Sequence, residues 1–281
     1  MNIGTGNKEI EVLKMVRKTH GNKDKMVIFD SIIEVVQFNR NTERTEYYQK
    51  YHASDSMSSN TYRFTKTNSY EEAEDLLLHG WDSMAEKLTN KLGKVTCKNN
   101  GYKNKTVYGV QGYQACVPRY LQGVPDNMVS NKRIVTKQKV INIVKDFGYS
   151  GSTFTDVIEK ESIKVLKAVN ELELKGYRVN LSIVFVSEYK YRKYIGIVVK
   201  IKDAGQKMNV KQLAFPLVHP SMFRRIMFGL IERLEETKGF GKGYGTCTTY
   251  EETKHLFQGN YYIPRIVSEQ EITDIEKYRV K

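Results

Sequence analysis

Apolar positions recur along this chain with two different spacings, and the spacing changes near Lys139. Before that point helical periods prevail. Ile10, Leu13 and Val16 share one face of residues 8–17, and residues 26–38 fit a 3.6-residue repeat better than a 2-residue one. Both stretches are read as helices. Residues 39–60 are polar and predict a surface loop. Thr61, Tyr62, Arg63 and Phe64 alternate as a strand does. Ser69 followed three residues later by Glu72 has the form of a capping box, so a helix is expected to about Leu78. His79-Gly80-Trp81 breaks it, and a second helix is expected over 82–92. Trp81 then anchors the two helices on each other. Residues 107–128 are rich in Gly and Pro but apolar, which predicts an irregular loop held against the body. Residues 129–139 read as a basic linker.

From Lys139 onward the pattern is regular α/β. A short strand (140–144) leads through a polar loop (146–155) to a long helix (156–175) ended by Gly176. Residues 181–186 and 194–201 are continuous apolar runs, as in the central strands of a sheet. An amphipathic helix capped by Ser221 is expected over 221–236. A glycine-rich turn over 239–245, a strand over 261–267 and a short polar helix follow. The expected fold class is therefore α/β: a Rossmann-like sheet with flanking helices over 139–281, with a more helical, loop-rich region 1–138 packed on it. Val140, Ile143, Leu166, Val169, Ile183, Phe185, Ile197 and Val199 are the expected core.

Charge adds to this picture. Forty-five Lys and Arg face 32 Asp and Glu, a net charge of +13 with a pI near 9.4. Such a surplus favours anionic partners, nucleic acid first. Abundant Lys, Asn, Ile and Tyr also follows from an AT-rich coding sequence, so charge leaves both explanations open. Nineteen Tyr and eleven Phe argue for a folded chain. The three cysteines lack a CxxC pair or a neighbouring His at ligand spacing, so neither a zinc site nor a disulfide framework is expected. No run reaches the ~18 apolar residues of a membrane span, and no signal peptide opens the sequence. A cytoplasmic protein without membrane contact is expected.

Two clusters suit a phosphate backbone: Lys190, Tyr191, Arg192 and Lys193 between two strands, and Arg224 with Arg225 on the 221–236 helix. A solvated hairpin tip explains the first equally well. The loop after the first strand of the second half carries Asp146, Ser150 and Ser152. With Asp203 brought to the same sheet edge, these oxygens form a candidate Mg2+ site. Ordinary turn and cap roles explain the same residues without a metal. No Ser/His/Asp or Cys/His set emerges, so the expectation leans away from an enzyme. A metal-dependent hydrolase using Asp146 and Asp203 lacks a base or nucleophile.

Two resemblances extend this reading. The motifs Ser69-Tyr70-Glu71-Glu72-Ala73 with Gly80-Trp81, the run from Cys116 to Met128 (CVPRYLQGVPDNM), Leu213-Ala214-Phe215-Pro216-Leu217, His219-Pro220, Phe223-Arg224-Arg225 and Gly243-Tyr244-Gly245 occur in an order that resembles uncharacterised proteins of tailed bacteriophages and related mobile elements. The order strand, polar loop, long helix, strand, strand resembles the start of a von Willebrand factor A-like fold. In that family a DxSxS loop holds a divalent metal. Asp146, Gly148 and Ser150 fall at its spacing, with Gly148 replacing the first Ser and removing one ligand. The phage resemblance gives context and no mechanism; with the net charge of +13 and the basic and aromatic clusters, the leading expectation is a phage-encoded accessory protein that binds nucleic acid or a nucleoprotein assembly in replication or transcription. The alternative, which the von Willebrand resemblance implies, is a non-enzymatic protein-interaction module.

Overall fold

The computed structural model describes residues 16–20, 24–92, 102–135, 138–149, 153–190, 193–240, 244–265, 277 and 279–280. It is an α/β protein built on a six-stranded mixed sheet. The strands are β1 (Val16–His20), β2 (Asp24–Phe29), β6 (Val140–Asp146), β7 (Arg178–Lys190), β8 (Lys193–Lys202) and β9 (Tyr261–Ile263), in the spatial order β1-β2-β8-β7-β6-β9. β9, β6 and β7 are mutually parallel; the β7–β8 hairpin reverses direction, and β2 lies parallel to β8. A second sheet of three strands is made by β3 (Tyr102–Gly109), β4 (Gln114–Ala115) and β5 (Met128–Val135).

One face of the large sheet carries the main core. Ile143, Leu181, Ile183, Phe185, Ile197 and Val199 pack there against α7 (Thr155–Leu174), through Leu166 and Val169, and against α8 (Val210–Val218). The same core takes in α1 (Ile32–Asn41), α4 (Tyr70–His79), α5 (Asp82–Leu92) and α9 (Phe228–Arg233). The opposite face holds Val144, Val184, Val186 and Val198 under Leu256, Phe257 and Tyr262. The alternation of Ile183 and Phe185 with Val184 and Val186 sorts β7 between the two layers, as a strand requires.

Seven of the eight expected core residues are buried, and Val140 is not: it is 50% exposed, because it opens β6 at the sheet's rim. Residues 26–38 are not one helix. Asp24–Phe29 is a strand beside β8, and Ser31 then caps α1 by accepting from the Glu34 amide at 3.1 Å. β-branched Val27 and Ile28 suit the strand, and the cap fixes where helix begins. Of the helix expected over 8–17, Val16 and Arg17 are strand and the rest lies outside the described residues. Residues 61–64 are helical, in α3 (Ser59–Thr65), capped by Ser58. The polar stretch 39–60 is not merely a surface loop, since Asn39, Thr45, Tyr48 and Ser54 are buried within it.

Ser69 caps α4 as expected, accepting from the Glu72 amide at 3.2 Å, but the Glu72 carboxylate reaches the Asn68 amide instead of closing the box on Ser69. Gly80 ends α4 at φ +89°, where a Cβ would lie 2.9 Å from the Lys211 carbonyl oxygen. Ser221 does not cap its helix. Its hydroxyl donates to the Thr65 carbonyl at 2.6 Å, and Met222–Met227 form a π-helical segment ahead of α9.

Candidate functional site

β6 ends with two oppositely charged side chains on opposite faces of the sheet. Lys145 points into the main core, where its Nζ meets Glu161 of α7 at 2.9 Å and donates to the Pro264 carbonyl at 3.0 Å. Tyr149 donates to the other Glu161 oxygen at 2.6 Å. Asp146 points to the other layer. It accepts from the Gly148 amide at 2.9 Å and from the Tyr262 hydroxyl at 3.1 Å, and that hydroxyl also meets Thr253 at 3.0 Å. Burial pushes the Asp146 and Glu161 carboxyls up, against the pull of Lys145. Burial also drives the Tyr149 and Tyr262 phenols well above their usual value. The Asp146 carboxylate therefore holds its own turn and ties β6 to the segment beyond α9.

Glycine at 148 has a steric reason. A Cβ there would stand 2.9 Å from the Phe185 ring and 3.2 Å from Asp146 Oδ1. A serine ligand in this place has no room. Asp203 does not join Asp146. The β7–β8 hairpin reverses the chain, so β8 ends beside the start of β7 while β6 ends further along it. At that opposite edge Asp203 accepts from the Gly205 amide at 2.7 Å, a turn role. Ser150 and Ser152 lie outside the described residues. Among the described residues no group of three or more His, Cys, Asp or Glu converges on a metal position.

Arg224 and Arg225 are inside the protein. Arg225 is fully buried: Nε donates to Thr67 Oγ1 at 2.7 Å, and its two terminal nitrogens donate to the Thr67 and Ser54 carbonyls at 2.9 Å each. Arg224 lies 4.0 Å over the Phe64 ring and donates to the Phe64 carbonyl. Neither guanidinium is placed to meet a phosphate. An amphipathic helix was expected over 221–236, with Arg224 and Arg225 suited to a phosphate backbone, but Met222 to Glu232 is buried on every side. A neighbouring network explains why. Glu232, also fully buried, takes Arg44 at 2.8 Å, Ser54 Oγ at 2.6 Å and Tyr244 at 2.7 Å.

The β7–β8 hairpin closes with Lys190 opposite Lys193; Tyr191 and Arg192 between them lie outside the described residues.

The second sheet carries a surface that the sequence reading missed. Residues 107–128 form strand, turn and short helix α6 (Val117–Leu121) rather than a loop pressed on the body, and 129–135 form β5 rather than a linker. No residue from Asn104 to Ile134 is buried. Tyr108, Val110, Tyr113, Val117, Tyr120 and Leu121 are all exposed. Arg119 lies 4.4 Å over the Tyr108 ring and donates to the Asp126 carbonyl at 3.0 Å. The strand-favouring Tyr102, Thr106, Val107 and Tyr108 were the available signal.

Fold and surface together define an α/β protein with a mixed sheet and an exposed cationic, aromatic appendage. By sequence the chain belongs to the family described as a domain of unknown function, DUF7192, which it matches over residues 14–280. No curated protein and no solved structure matches it. Among the described residues no helix is long and apolar enough to cross a membrane.

Proposed function

We propose that this protein binds nucleic acid or a nucleoprotein assembly as a non-enzymatic accessory factor, of the kind tailed bacteriophages use in replication or transcription. The observation that supports this is where the charge lies. The buried acids Asp24, Glu74, Asp146, Glu159, Glu161, Glu173 and Glu232 outnumber the buried cations Lys145, Lys202, Arg224 and Arg225 among the described residues. Among the described residues the interior is thus net negative, so it takes up none of the cationic surplus. A surface field of that sign draws polyanions and raises their encounter rate.

Salt-titrated binding to single-stranded and duplex DNA and RNA tests the reading. Log affinity falls linearly with log salt if counterion release drives binding. Absence of binding at low salt overturns it. The hairpin tip belongs to the same reading. Replacing Lys190, Arg192 and Lys193 together by Ala is expected to make the salt slope shallower by about three at most.

A further inference from the structure

The three-stranded sheet is unusual in having no buried residue among Asn104–Ile134, although three strands ordinarily need an apolar face covered to be stable. Its exposed side chains include large apolar and aromatic ones. Such a surface marks an interaction site. Its charge selects the partner. Residues 102–135 contain Lys103, Lys105, Arg119, Lys132 and Arg133 against the single acid Asp126. Lys105 and Lys132 are directly opposite each other in the β3–β5 register, so they share a face. Like charges so placed repel, and among the described residues no carboxylate pairs with either. An anion between them relieves the repulsion. The same charge opposes stacking of two copies through this sheet.

The other face differs. Tyr108, Val129 and Gln114 lie in one row across the three strands, and Asn131 shares that face. The Tyr108 ring already holds Arg119 over it. A flat aromatic with a guanidinium and amides beside it suits an unpaired base, which stacks on the ring and exposes its edge to hydrogen bonds. We infer that this sheet is a single-stranded nucleic-acid binding surface, with bases stacked at Tyr108 and Tyr120 and phosphates held by Arg119 and the Lys105–Lys132 pair. Both faces contribute, so the bound strand passes round the edge strand β3. A single strand bends that sharply. A duplex, stiff over about 150 base pairs and with its bases already stacked, does not.

This inference rests on the nucleic-acid reading, and one experiment separates the two. Full-length protein is titrated with fluorescent polythymidylate and with a duplex of equal length over a salt series, for the parent, Tyr108→Ala, Tyr108→Phe and a Lys105→Gln/Lys132→Gln variant. The single strand binds more tightly than the duplex. Tyr108→Ala weakens single-strand binding roughly 5- to 150-fold and duplex binding less, while Tyr108→Phe retains it. The double Lys variant makes the single-strand salt slope shallower by about 1.4, since each phosphate contact contributes ~0.7. Thermal melts matching the parent show the body intact. Binding that is unchanged in all variants, or equally tight for duplex, overturns the inference and leaves the nucleic-acid reading standing. Tighter capture of polyglutamate than of polythymidylate also overturns it, by making the partner an acidic protein. No binding of any nucleic acid at low salt overturns both.

Discussion

Trp81 and His219 meet edge to face, with ring centroids 4.8 Å apart, and the imidazole lies stacked at 5.0 Å on Phe215. His219 Nδ1 accepts from the Ser221 amide at 3.1 Å, so the neutral ring carries its proton on Nε2. Burial lowers its pKa to about 4, against a weak upward pull from Glu72. The imidazole is thus held neutral where an unfolded chain would protonate it. Between about pH 6.5 and 4 the unfolded state binds the extra proton, so stability is fully present above that window and is lost as pH falls through it. The loss from this one group is up to roughly 3 kcal/mol. Asp146 and Glu161, whose carboxyls are raised, act in the opposite direction, so a variant is needed to isolate the histidine. In urea melts followed by Trp81, the protein's single tryptophan, His219→Asn flattens this part of the pH profile while lowering stability at pH 7. An unchanged profile removes His219 from the account.

Arg225 gives a prediction about stability rather than binding. Its guanidinium satisfies the Thr67 and Ser54 carbonyls and the Thr67 hydroxyl, all in the interior. Arg225→Met leaves the Ser54 carbonyl without its donor, while the Thr67 carbonyl keeps Thr65 Oγ1 at 3.0 Å and the Thr67 hydroxyl keeps Ser221 Oγ at 2.7 Å. A net loss of about 1–3 kcal/mol in denaturant titration is expected. Arg225→Lys recovers little, because an ammonium cannot reproduce the planar fork. Nucleic-acid affinity per folded molecule stays at the parent's value in both.

The two ends of the core prediction separate in the same assay. Leu166 of α7 is fully buried in the main core, and Leu166→Ala is expected to cost roughly 2–5 kcal/mol. Val140, half exposed at the rim, is expected to change stability by less than about 0.5 kcal/mol when replaced by Ala. Equal losses at the two positions contradict the layer arrangement.

The second half was legible because its signals agree. The strands β6, β7 and β8 are runs of Ile, Val and Leu bounded by turns, α7 has an uninterrupted helical period, and Gly176 at φ +90° stops it. The first half misled where local signals compete. Val27 and Ile28 fit a helical face as well as a strand, and only pairing with β8, far along the chain, decides. Alternation at Thr61–Phe64 lost to the Ser58 cap. Burial of Arg224 and Arg225 was not visible, because their partners Phe64, Thr67 and Ser54 lie more than 150 residues away in sequence. The divergence of Asp146 and Asp203 follows from strand direction, which a sequence pattern does not encode. The exposed sheet over 102–135 was hidden by its glycines and prolines, which read as loop.

Gly112 allows that sheet to be disturbed without touching the body. It lies in the turn between β3 and β4, and the Tyr113 amide beside it donates to the Val129 carbonyl at 2.9 Å. The approach is so close that a Cβ on residue 112 would overlap the Val129 carbonyl oxygen and stand 2.9 Å from the Val129 nitrogen. These are backbone atoms of the central strand β5, so they cannot yield as a flexible side chain would. Gly112→Ala therefore forces β4 away from β5 and disorders the Tyr113–Tyr120 region. No residue from Asn104 to Ile134 contributes to the main core, so the global denaturation midpoint stays within about 0.5 kcal/mol of the parent. Amide exchange over 102–135 accelerates, since its hydrogen bonds now open locally instead of with the whole molecule. Single-strand affinity falls alongside. A variant that exchanges faster over 102–135 yet binds polythymidylate as the parent does places the contact elsewhere on the surface. A variant whose midpoint drops by several kcal/mol shows instead that the sheet is part of the cooperative fold.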